Sequence, residues 1–232
     1  MAHVRNGVLL VSVSTSIPQY KALYSHGKVL ADYLTRKIKF ERIASLYSSS
    51  LPPEVVTKDD GTIGLPACHF YLHKSKRDLV LFSGDSSPYE DQYEFTDSVL
   101  TFARELGVKE VFSIGTRWSD PPLPPAEAPA LIGFATDTNG IERLKFNGVA
   151  LISNEPAPFF ASIIVGLAAA YGMTGYKISV NHGEPAPHHR SVSRMLEVIG
   201  RMVGFEIDVK DLQVQVADTA ASPRSDASDI YH

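Results

Sequence analysis

The chain has 232 residues, of which 44% are hydrophobic and 21% charged, and it carries a formal net charge of −4. This length and composition are typical of one globular domain with a sizeable core. The mild charge and the scattered basic residues exclude the electrostatic footprint of a nucleic-acid partner. The most apolar run, FFASIIVGLAAAYG, is shorter than the roughly 18 residues of a membrane span, so we expect a buried helix there and no membrane partner.

Along the chain, short apolar runs rich in β-branched residues alternate with segments of helical period. This alternation is typical of an α/β fold in which helices cover a sheet. A strand, a helix and a further strand in succession favour parallel pairing. The predicted strands are, in chain order, GVLLVSVS, ERIASLY, DLVLFSG, KEVFSIG, LIGFATD and YKISVNH.

Two helices stand out between these strands. The first follows DLVLFSG, with Ser87 as N-cap, Pro88 at the first helical position and Glu90 completing a capping box. The second runs from about His189 to Val203. Glycines follow the apolar stripes of both helices, as a left-handed helix end requires. The stripes and their closing glycines are Phe95, Val99, Phe102, Leu106 and Gly107 for the first, and Val192, Leu196, Ile199, Val203 and Gly204 for the second.

Two segments interrupt the alternation. Residues 52–73 contain an Asp-Gly turn between β-prone runs, which predicts a small hairpin added to the sheet. The stretch SDPPLPPAEAPA is too rich in proline for a helix or a central strand, so we expect a surface loop. We therefore divide the chain into a single α/β domain, residues 1–217, and a flexible C-terminal tail, residues 218–232, whose first twelve residues are small, polar or proline.

The cysteine content bears on the compartment and on metal binding. A single cysteine, Cys68, excludes an internal disulfide and a paired thiolate zinc site. It favours a reducing environment, and we expect a cytoplasmic protein without a targeting or anchoring segment.

The first candidate ligand site follows the third predicted strand, at Asp85. Open α/β sheets bind ligands at the carboxyl ends of their strands, and helix N-termini bind anions. The stretch SGDSSP lacks the glycine spacing and the lysine of a phosphate-binding loop, and Ser87 is explained as a helix cap. A structural role for this turn is the stronger alternative.

Histidines and carboxylates follow the last predicted strand, in NHGEPAPHH. His182, Glu184, His188 and His189 could transfer protons or bind a metal, but their intervals match no zinc-ligand spacing. A surface loop with neutral histidines is the better interpretation. The chain shows no nucleophile elbow, and we expect neither a cofactor nor enzymatic activity. Arg117, Trp118 and Asp120, after the fourth strand, are further candidates for a pocket or a subunit contact.

Several blocks of sequence together resemble the proteasome-assembly chaperone family, in its archaeal and bacterial branch. The resemblance extends from about residue 7 to residue 212, and it implies a three-layer α/β/α sandwich around a mostly parallel mixed sheet, similar to purine nucleoside phosphorylases. In contrast to relatives with a glycine-rich turn after the first strand, this chain has STSIPQYKALYSHG there. The blocks are DLVLFSGDSSP, QYEFTDSVLTFARELGVKEVFSIG, IGFATD, GLAAAYGMTGYKISVNHGE and MLEVIGRMVGFEIDVKDL.

The resemblance also implies a partner, the α-ring of the proteasome core particle. Some members end in a hydrophobic residue, a tyrosine and a last residue of any type, and this ending docks into pockets between α subunits. Here the ending is Ile230, Tyr231 and His232. Ile230 would bury apolar area, the Tyr231 ring would pack and hydrogen-bond, and the carboxylate of His232 would pair with a lysine of the pocket.

Two functions remain as alternatives at this point. The first is a homo-oligomeric assembly chaperone or nucleotide-independent activator that presents its tails to the α-ring. The second is a small-molecule enzyme or sensor with a pocket near Asp85, together with His182 and Glu184. The tail also has an interpretation without a function, which is a disordered terminus that contains two bulky residues by chance.

Overall fold

The computed structural model describes residues 3–13, 26–84, 86–118, 130–182 and 189–212. The helices of this part of the chain are α1 His26–Lys37, α2 Gln92–Leu106, α3 Thr138–Phe146, α4 Phe160–Ala168 and α5 His189–Val203. The strands are β1 Gly7–Val13, β2 Glu41–Leu46, β3 Val56–Thr57, β4 Ile63–Gly64, β5 Cys68–His73, β6 Leu79–Gly84, β7 Val108–Trp118, β8 Leu131–Ala135, β9 Ala150–Leu151 and β10 Thr174–His182.

Eight of these strands form one mixed sheet in the order β2-β5-β6-β1-β7-β10-β8-β9. The four central strands, β6, β1, β7 and β10, pair in parallel. Antiparallel pairs join β2 to β5, β5 to β6 and β8 to β10, and β9 adds a parallel edge. Helices cover both faces, so the predicted α/β class and the three-layer sandwich around a mixed sheet are confirmed.

The central strand β1 is buried on both faces. Val8 and Leu10 point to one core and Leu9 and Val11 to the other, and each is at most 1% exposed. A nearly continuous apolar run is what a parallel strand with helices on both sides requires. Each of these side chains contributes roughly 1.5–3 kcal/mol of hydrophobic stabilisation by area bookkeeping.

The two helical layers divide the core. On the face of Val8 and Leu10, α1 and α5 cover the sheet, and Leu144 of α3 joins this cluster beside β8. On the face of Leu9 and Val11, α2 and α4 pack together and against β7. The apolar run that became α4 is therefore the buried helix that the sequence predicts. No helix in the described ranges is long and apolar enough to cross a membrane.

The predicted helices occur, but the first begins later than expected. Helix α5 has the predicted bounds, and Gly204 follows it with φ +83°. Helix α2 begins at Gln92, after Asp91, whose side chain makes no cap bond, so the prediction of Ser87 as N-cap was wrong. The reason is a tertiary hydrogen bond: the Tyr89 N–H donates to the Ser50 carbonyl at 2.6 Å, and this holds the chain against the segment after β2.

The predicted hairpin insertion over residues 52–73 is too wide. Strands β3 and β4 do form an antiparallel pair around Asp60 and Gly61, with Gly61 at φ +78°. Strand β5, however, lies inside the main sheet between β2 and β6. Alternate residues of β5, among them Phe70 and Leu72, are buried, which is the period of a strand with one face on the core.

A buried carboxylate ties the amino ends of β1 and β6 together. The Asp78 side chain is fully buried and accepts hydrogen bonds from the Arg5 N–H at 3.0 Å, the Ser75 N–H at 3.1 Å and the Lys74 ammonium at 2.9 Å. Burial alone would raise the pKa of Asp78, but these three donors outweigh it and the pKa is lowered. The ionised carboxylate is therefore part of the folded structure.

We expect Asp78→Ala to lower the free energy of unfolding by about 2–4 kcal/mol, because it leaves buried donors without an acceptor. Since the pKa of Asp78 is lower in the folded than in the unfolded chain, this contribution is fully present above about pH 4 and is lost as the pH falls through the folded value. Urea unfolding at pH 7 and pH 3 measures both effects. The exposed Asp59→Ala serves as the control, and an equal loss of stability in both variants would contradict the prediction.

Candidate functional site

The candidate site lies where the four parallel central strands end. Their carboxyl ends meet at one edge of the sheet, which is the edge at which open α/β sheets bind ligands. Trp118 and His182 are the last paired positions of β7 and β10.

Most of the predicted site residues lie outside the described part of the chain. Of those that are described, Arg117 forms an ion pair with Glu155, with both side chains partly exposed. His189 begins α5, and its Nδ1 atom is buried without a hydrogen-bond partner among the described residues. Within the described ranges, no three His, Cys, Asp or Glu side chains are placed to hold a metal ion. The predicted residues outside the described ranges are Asp85, Asp120, Glu184, His188, Ile230, Tyr231 and His232.

The structure adds a polar column that the sequence analysis missed. This column consists of residues of β7 and β10 that are paired in register and lie on the face of the sheet that α4 covers. Successive residues of a strand point to opposite faces, so alternate positions share this face. From the middle of the sheet to its edge the pairs are Ser113 with Lys177, Gly115 with Ser179 and Arg117 with Asn181.

Lys177 is the most unusual member of the column. It is a charged residue type in a central strand and is only 6% exposed. Its neighbours Tyr176 and Ile178 pack into the core on the opposite face of the sheet. In the described part of the chain its ammonium has one hydrogen-bond partner, the Ser113 hydroxyl at 3.3 Å, and no carboxylate. Burial lowers the pKa of Lys177 to about 7, because the charged form is poorly solvated.

Ser113 connects Lys177 to helix α4. The Ser113 hydroxyl donates to the carbonyl of Ala161 in the first turn of α4, so it can only accept from Lys177. Phe159, immediately before α4, has φ +73° and ψ 160°, a backbone conformation that is costly for any residue except glycine. The first turn of α4 is thus held over the column despite local strain.

The end of the Lys177 side chain lies against Gly115, where a larger residue would have a side chain. A Cβ atom at this position would lie 3.0 Å from Nζ and 3.9 Å from Cε, and no other described atom would be within 4 Å. Gly115 is itself partly exposed. The missing side chain at Gly115 therefore makes room for the amine of Lys177.

In contrast to Lys177, the partly buried charges of Arg143 and Glu110 are paired. Arg143 contacts Glu110 and the Tyr176 hydroxyl, and it donates to the Met202 carbonyl near the end of α5 at 2.8 Å. Glu110 also pairs with Arg77. Burial and the nearby Glu110 raise the pKa of Tyr176 to about 12, so its hydroxyl stays protonated. These groups form a closed network that holds α3, α5 and β7 together.

A cavity of about 310 Å³ lies at the opposite edge of the sheet, beside the ends of α1 and β5. Basic side chains dominate its lining, but two of them already have partners, since Lys37 pairs with Asp211 and Arg77 with Glu110. The cavity is lined by Lys37, Ile38, Lys39, His73, Ser75, Arg77, Leu79, Phe205 and Glu206.

The fold and the position of the site define an α/β/α protein with its candidate site at the carboxyl edge of a mixed sheet. The PAC2 family model matches residues 25–222, and the chain belongs to the PAC2 family.

Solved structures share this fold at low sequence identity. The archaeal proteasome activator PbaB of Pyrococcus furiosus has a TM-score of 0.79 at 20% identity, over 94% of this chain and 91% of that chain. PbaA of the same organism, a homologue of proteasome-assembly chaperone, has a TM-score of 0.75 at 15% identity, over 95% and 87%. A proteasome-assembly chaperone homologue of Mycobacterium tuberculosis has a TM-score of 0.74 at 15% identity, over 94% and 97%.

A curated relative matches only part of the chain. An uncharacterized protein of Methanocaldococcus jannaschii is 26% identical over 91 residues, which is 38% of this chain and 35% of that protein. This match therefore spans about a third of the relative's length.

We expect Lys177→Met to stabilise the protein at pH 7, because it replaces a buried amine by an apolar side chain of similar length. The pKa of Lys177 is lower in the folded chain, so the unfolded chain binds more protons between about pH 7 and 10 and wild-type stability rises with pH there. A shift of this size corresponds to about 5 kcal/mol.

The advantage of Lys177→Met should shrink by several kcal/mol as the pH rises from 7 to 10, in urea unfolding. Lys109→Met, on the neighbouring strand β7 and exposed, is the matched control and should show no such trend. A constant difference between Lys177→Met and wild type across this range would show that the amine is not buried without a counter-ion.

Proposed function

We propose that this protein is a partner of the proteasome core particle, acting as an assembly chaperone or as a nucleotide-independent activator. The observation that carries this proposal is the likeness of nearly the whole chain to a proteasome activator and to assembly-chaperone homologues. Family membership supports the same assignment. In this role the protein acts by binding, and its compartment is the cytoplasm.

The proposed contact is the C-terminal tail. Ile230, Tyr231 and His232 dock into the pockets between neighbouring α-ring subunits, with the terminal carboxylate of His232 paired to a pocket lysine. The tripeptide supports this proposal because it combines an apolar anchor, an aromatic ring with a hydroxyl and a terminal charge. Such docking requires a free carboxylate, so the proposal takes His232 as the last residue of the functional chain.

The structure supports a division into a folded body and a tail. The last described residue, Leu212, is 1% exposed and belongs to the core under α1 and α5. The Tyr33 hydroxyl donates to the Asp208 carbonyl at 2.6 Å, and Lys37 pairs with Asp211, so the chain is attached to α1 almost up to this point. We propose a body of residues 1–217 and a tail of residues 218–232.

The tail provides enough length to reach a pocket on a separate protein. Ile230 lies eighteen positions after Leu212. A flexible chain of that length has a root-mean-square span of about 23 Å. We further propose that the protein is a homo-oligomer, because several tails on one body would engage several pockets of a ring and raise the affinity by avidity.

Removal of residues 230–232 should abolish or strongly reduce binding to purified core particle, since it removes the anchor and displaces the carboxylate. Binding is measured by pull-down and by surface plasmon resonance, and peptide hydrolysis by the core particle is measured in parallel. Stimulated hydrolysis identifies an activator, whereas faster assembly of α subunits without stimulation identifies a chaperone. Unchanged binding of the truncated chain would refute docking by the tail.

Tyr231→Ala should weaken binding at least tenfold without changing the melting temperature, because the proposal puts the tail outside the folded core. Tyr93→Ala is the matched control, since Tyr93 is 67% exposed on α2 and belongs to the body. A further variant with two glycines after His232 moves the carboxylate and should weaken binding to a similar degree. Equal affinities for wild type, Tyr231→Ala and the extended chain would contradict the proposal.

A further inference from the structure

The cavity of about 310 Å³ lies at the edge of the sheet where the central strands begin, and it takes no part in the proposed docking by the tail. Its volume is at the lower end of the range of small-molecule pockets, which is about 300–1,000 Å³. Its lining comes from four separate parts of the chain: the end of α1 with the segment after it, the end of β5, the turn between β5 and β6, and the segment after α5. A space of this size, bounded by segments far apart in sequence, fits one small molecule.

One part of the lining is apolar. Leu79, the first residue of β6, is 2% exposed and belongs to the core under α1 and α5. Ile38 and Phe205 are partly buried and pack against that core, so they contribute apolar surface to the cavity. Such a surface favours a ligand with an apolar or aromatic group, because binding removes that group from water.

Hydrogen bonds fix the polar part of the lining. His73 Nδ1 donates to the Lys39 carbonyl at 3.0 Å, which joins the end of β5 to the segment after α1. Arg77 Nε donates to the Asn6 carbonyl at 3.0 Å, which holds the turn between β5 and β6 against the start of the chain. A pre-formed site loses less conformational entropy on binding, so a few contacts suffice for a measurable affinity.

The basic groups of the lining are not fully neutralised. Glu110 pairs with both Arg77 and Arg143, so one carboxylate serves two guanidinium groups. Arg77 has five N–H donors, and in the described part of the chain its contacts to Asn6 and Glu110 leave some of them over. Lys39 forms no ion pair within the described residues. Arg77 and Lys39 therefore offer positive charge and N–H donors to an anion.

Acidic side chains oppose this charge only in part. Asp211 pairs with Lys37 and neutralises it. Glu206 is exposed and is the one acidic residue among those that line the described cavity. Together with the ion-pair network to which they belong, the lysine, arginine and glutamate residues of the lining keep an excess of one positive charge.

We propose that this cavity binds a small oxyanion that carries an apolar group, namely a phosphate monoester or a carboxylate. Lys39 and Arg77 contact the oxyanion, because ammonium and guanidinium groups form strong charge-assisted hydrogen bonds with phosphate and carboxylate oxygens. The apolar group lies against Phe205 and Leu79, and Glu206 weakens binding by repulsion. The bound molecule links the segment after α5 to the turn between β5 and β6, and it stabilises the folded chain by mass action.

The test is isothermal titration calorimetry of the full-length protein at pH 7 with phenyl phosphate, benzoate and benzyl alcohol. The first two combine an oxyanion with a phenyl ring, whereas benzyl alcohol keeps the ring and has no charge. We expect a Kd below about 1 mM for at least one of the two anions, and binding of benzyl alcohol at least about tenfold weaker. The anion that binds more tightly shows whether phosphate or carboxylate is the preferred group.

Lys39→Gln tests the contact to the oxyanion. It removes the ammonium but keeps the backbone carbonyl that accepts from His73, and it should weaken binding of the same anion at least about fivefold. Lys76→Gln is the matched control, because Lys76 is an exposed lysine between the lining residues Ser75 and Arg77 and does not itself line the described cavity. This control should bind within about twofold of wild type.

Glu206→Gln should change the affinity in the opposite direction. It removes the acidic residue of the lining, so the same anion should bind at least about twofold more tightly. Damage to the fold cannot produce such a gain, so this variant separates ligand contact from a structural effect. Deletion of residues 230–232 should leave the affinity unchanged, which separates this site from docking by the tail.

Three results would each overturn the proposal. The first is that neither anion binds the folded wild-type protein at concentrations up to about 10 mM. The second is an equal affinity of Lys39→Gln and Lys76→Gln, since the anion would then bind elsewhere on the surface. The third is unchanged or weaker binding in Glu206→Gln.

Discussion

The architecture depends on the burial of four parallel strands on both faces. Strand β1 shows the constraint most clearly, because its side chains alternate between two separate cores and none of Val8 to Val11 is more than 1% exposed. Polar side chains in such strands cannot reach water, so they must form hydrogen bonds with nearby groups of the protein. Ser12 does so through the Gly27 carbonyl of α1, and Ser113 through the Ala161 carbonyl of α4. Among the described residues Lys177 contacts no charged acceptor, which is why it stands out among the buried residues of the sheet.

Much of this architecture can be predicted from the sequence, because the main elements follow local patterns. The six predicted strands and helix α5 occur where apolar runs and helical periodicity place them. The start of α2 could not be predicted in this way. A capping box at Ser87 is a valid local signal, but the hydrogen bond from Tyr89 to Ser50 joins residues almost forty positions apart and overrides it. Strand β5 was missed because the turn between the β-prone runs of residues 52–73 suggested a small hairpin added to the sheet.

Of the two candidate sites, one can be recognised only in the sequence and the other only in the structure. The tail tripeptide can be recognised in the sequence as a pattern of three adjacent residue types, and it lies outside the described residues. Lys177 gave no signal in the sequence, because a lysine within YKISVNH also fits a strand with one exposed face. Only the sheet order, which places β10 between β7 and β8, shows that this face is covered by α4.

The attachment of residues 205–212 to α1 has a mechanical consequence. The chain leaves α5 at Gly204, and the links from Tyr33 to Asp208 and from Lys37 to Asp211 join this segment to a second helix of the same layer. A force applied to the chain beyond residue 212 is therefore divided between two helices before it reaches the sheet. The hydrogen bonds of the central strands are shielded from a pull at this end, and the layer formed by α1 and α5 would yield first.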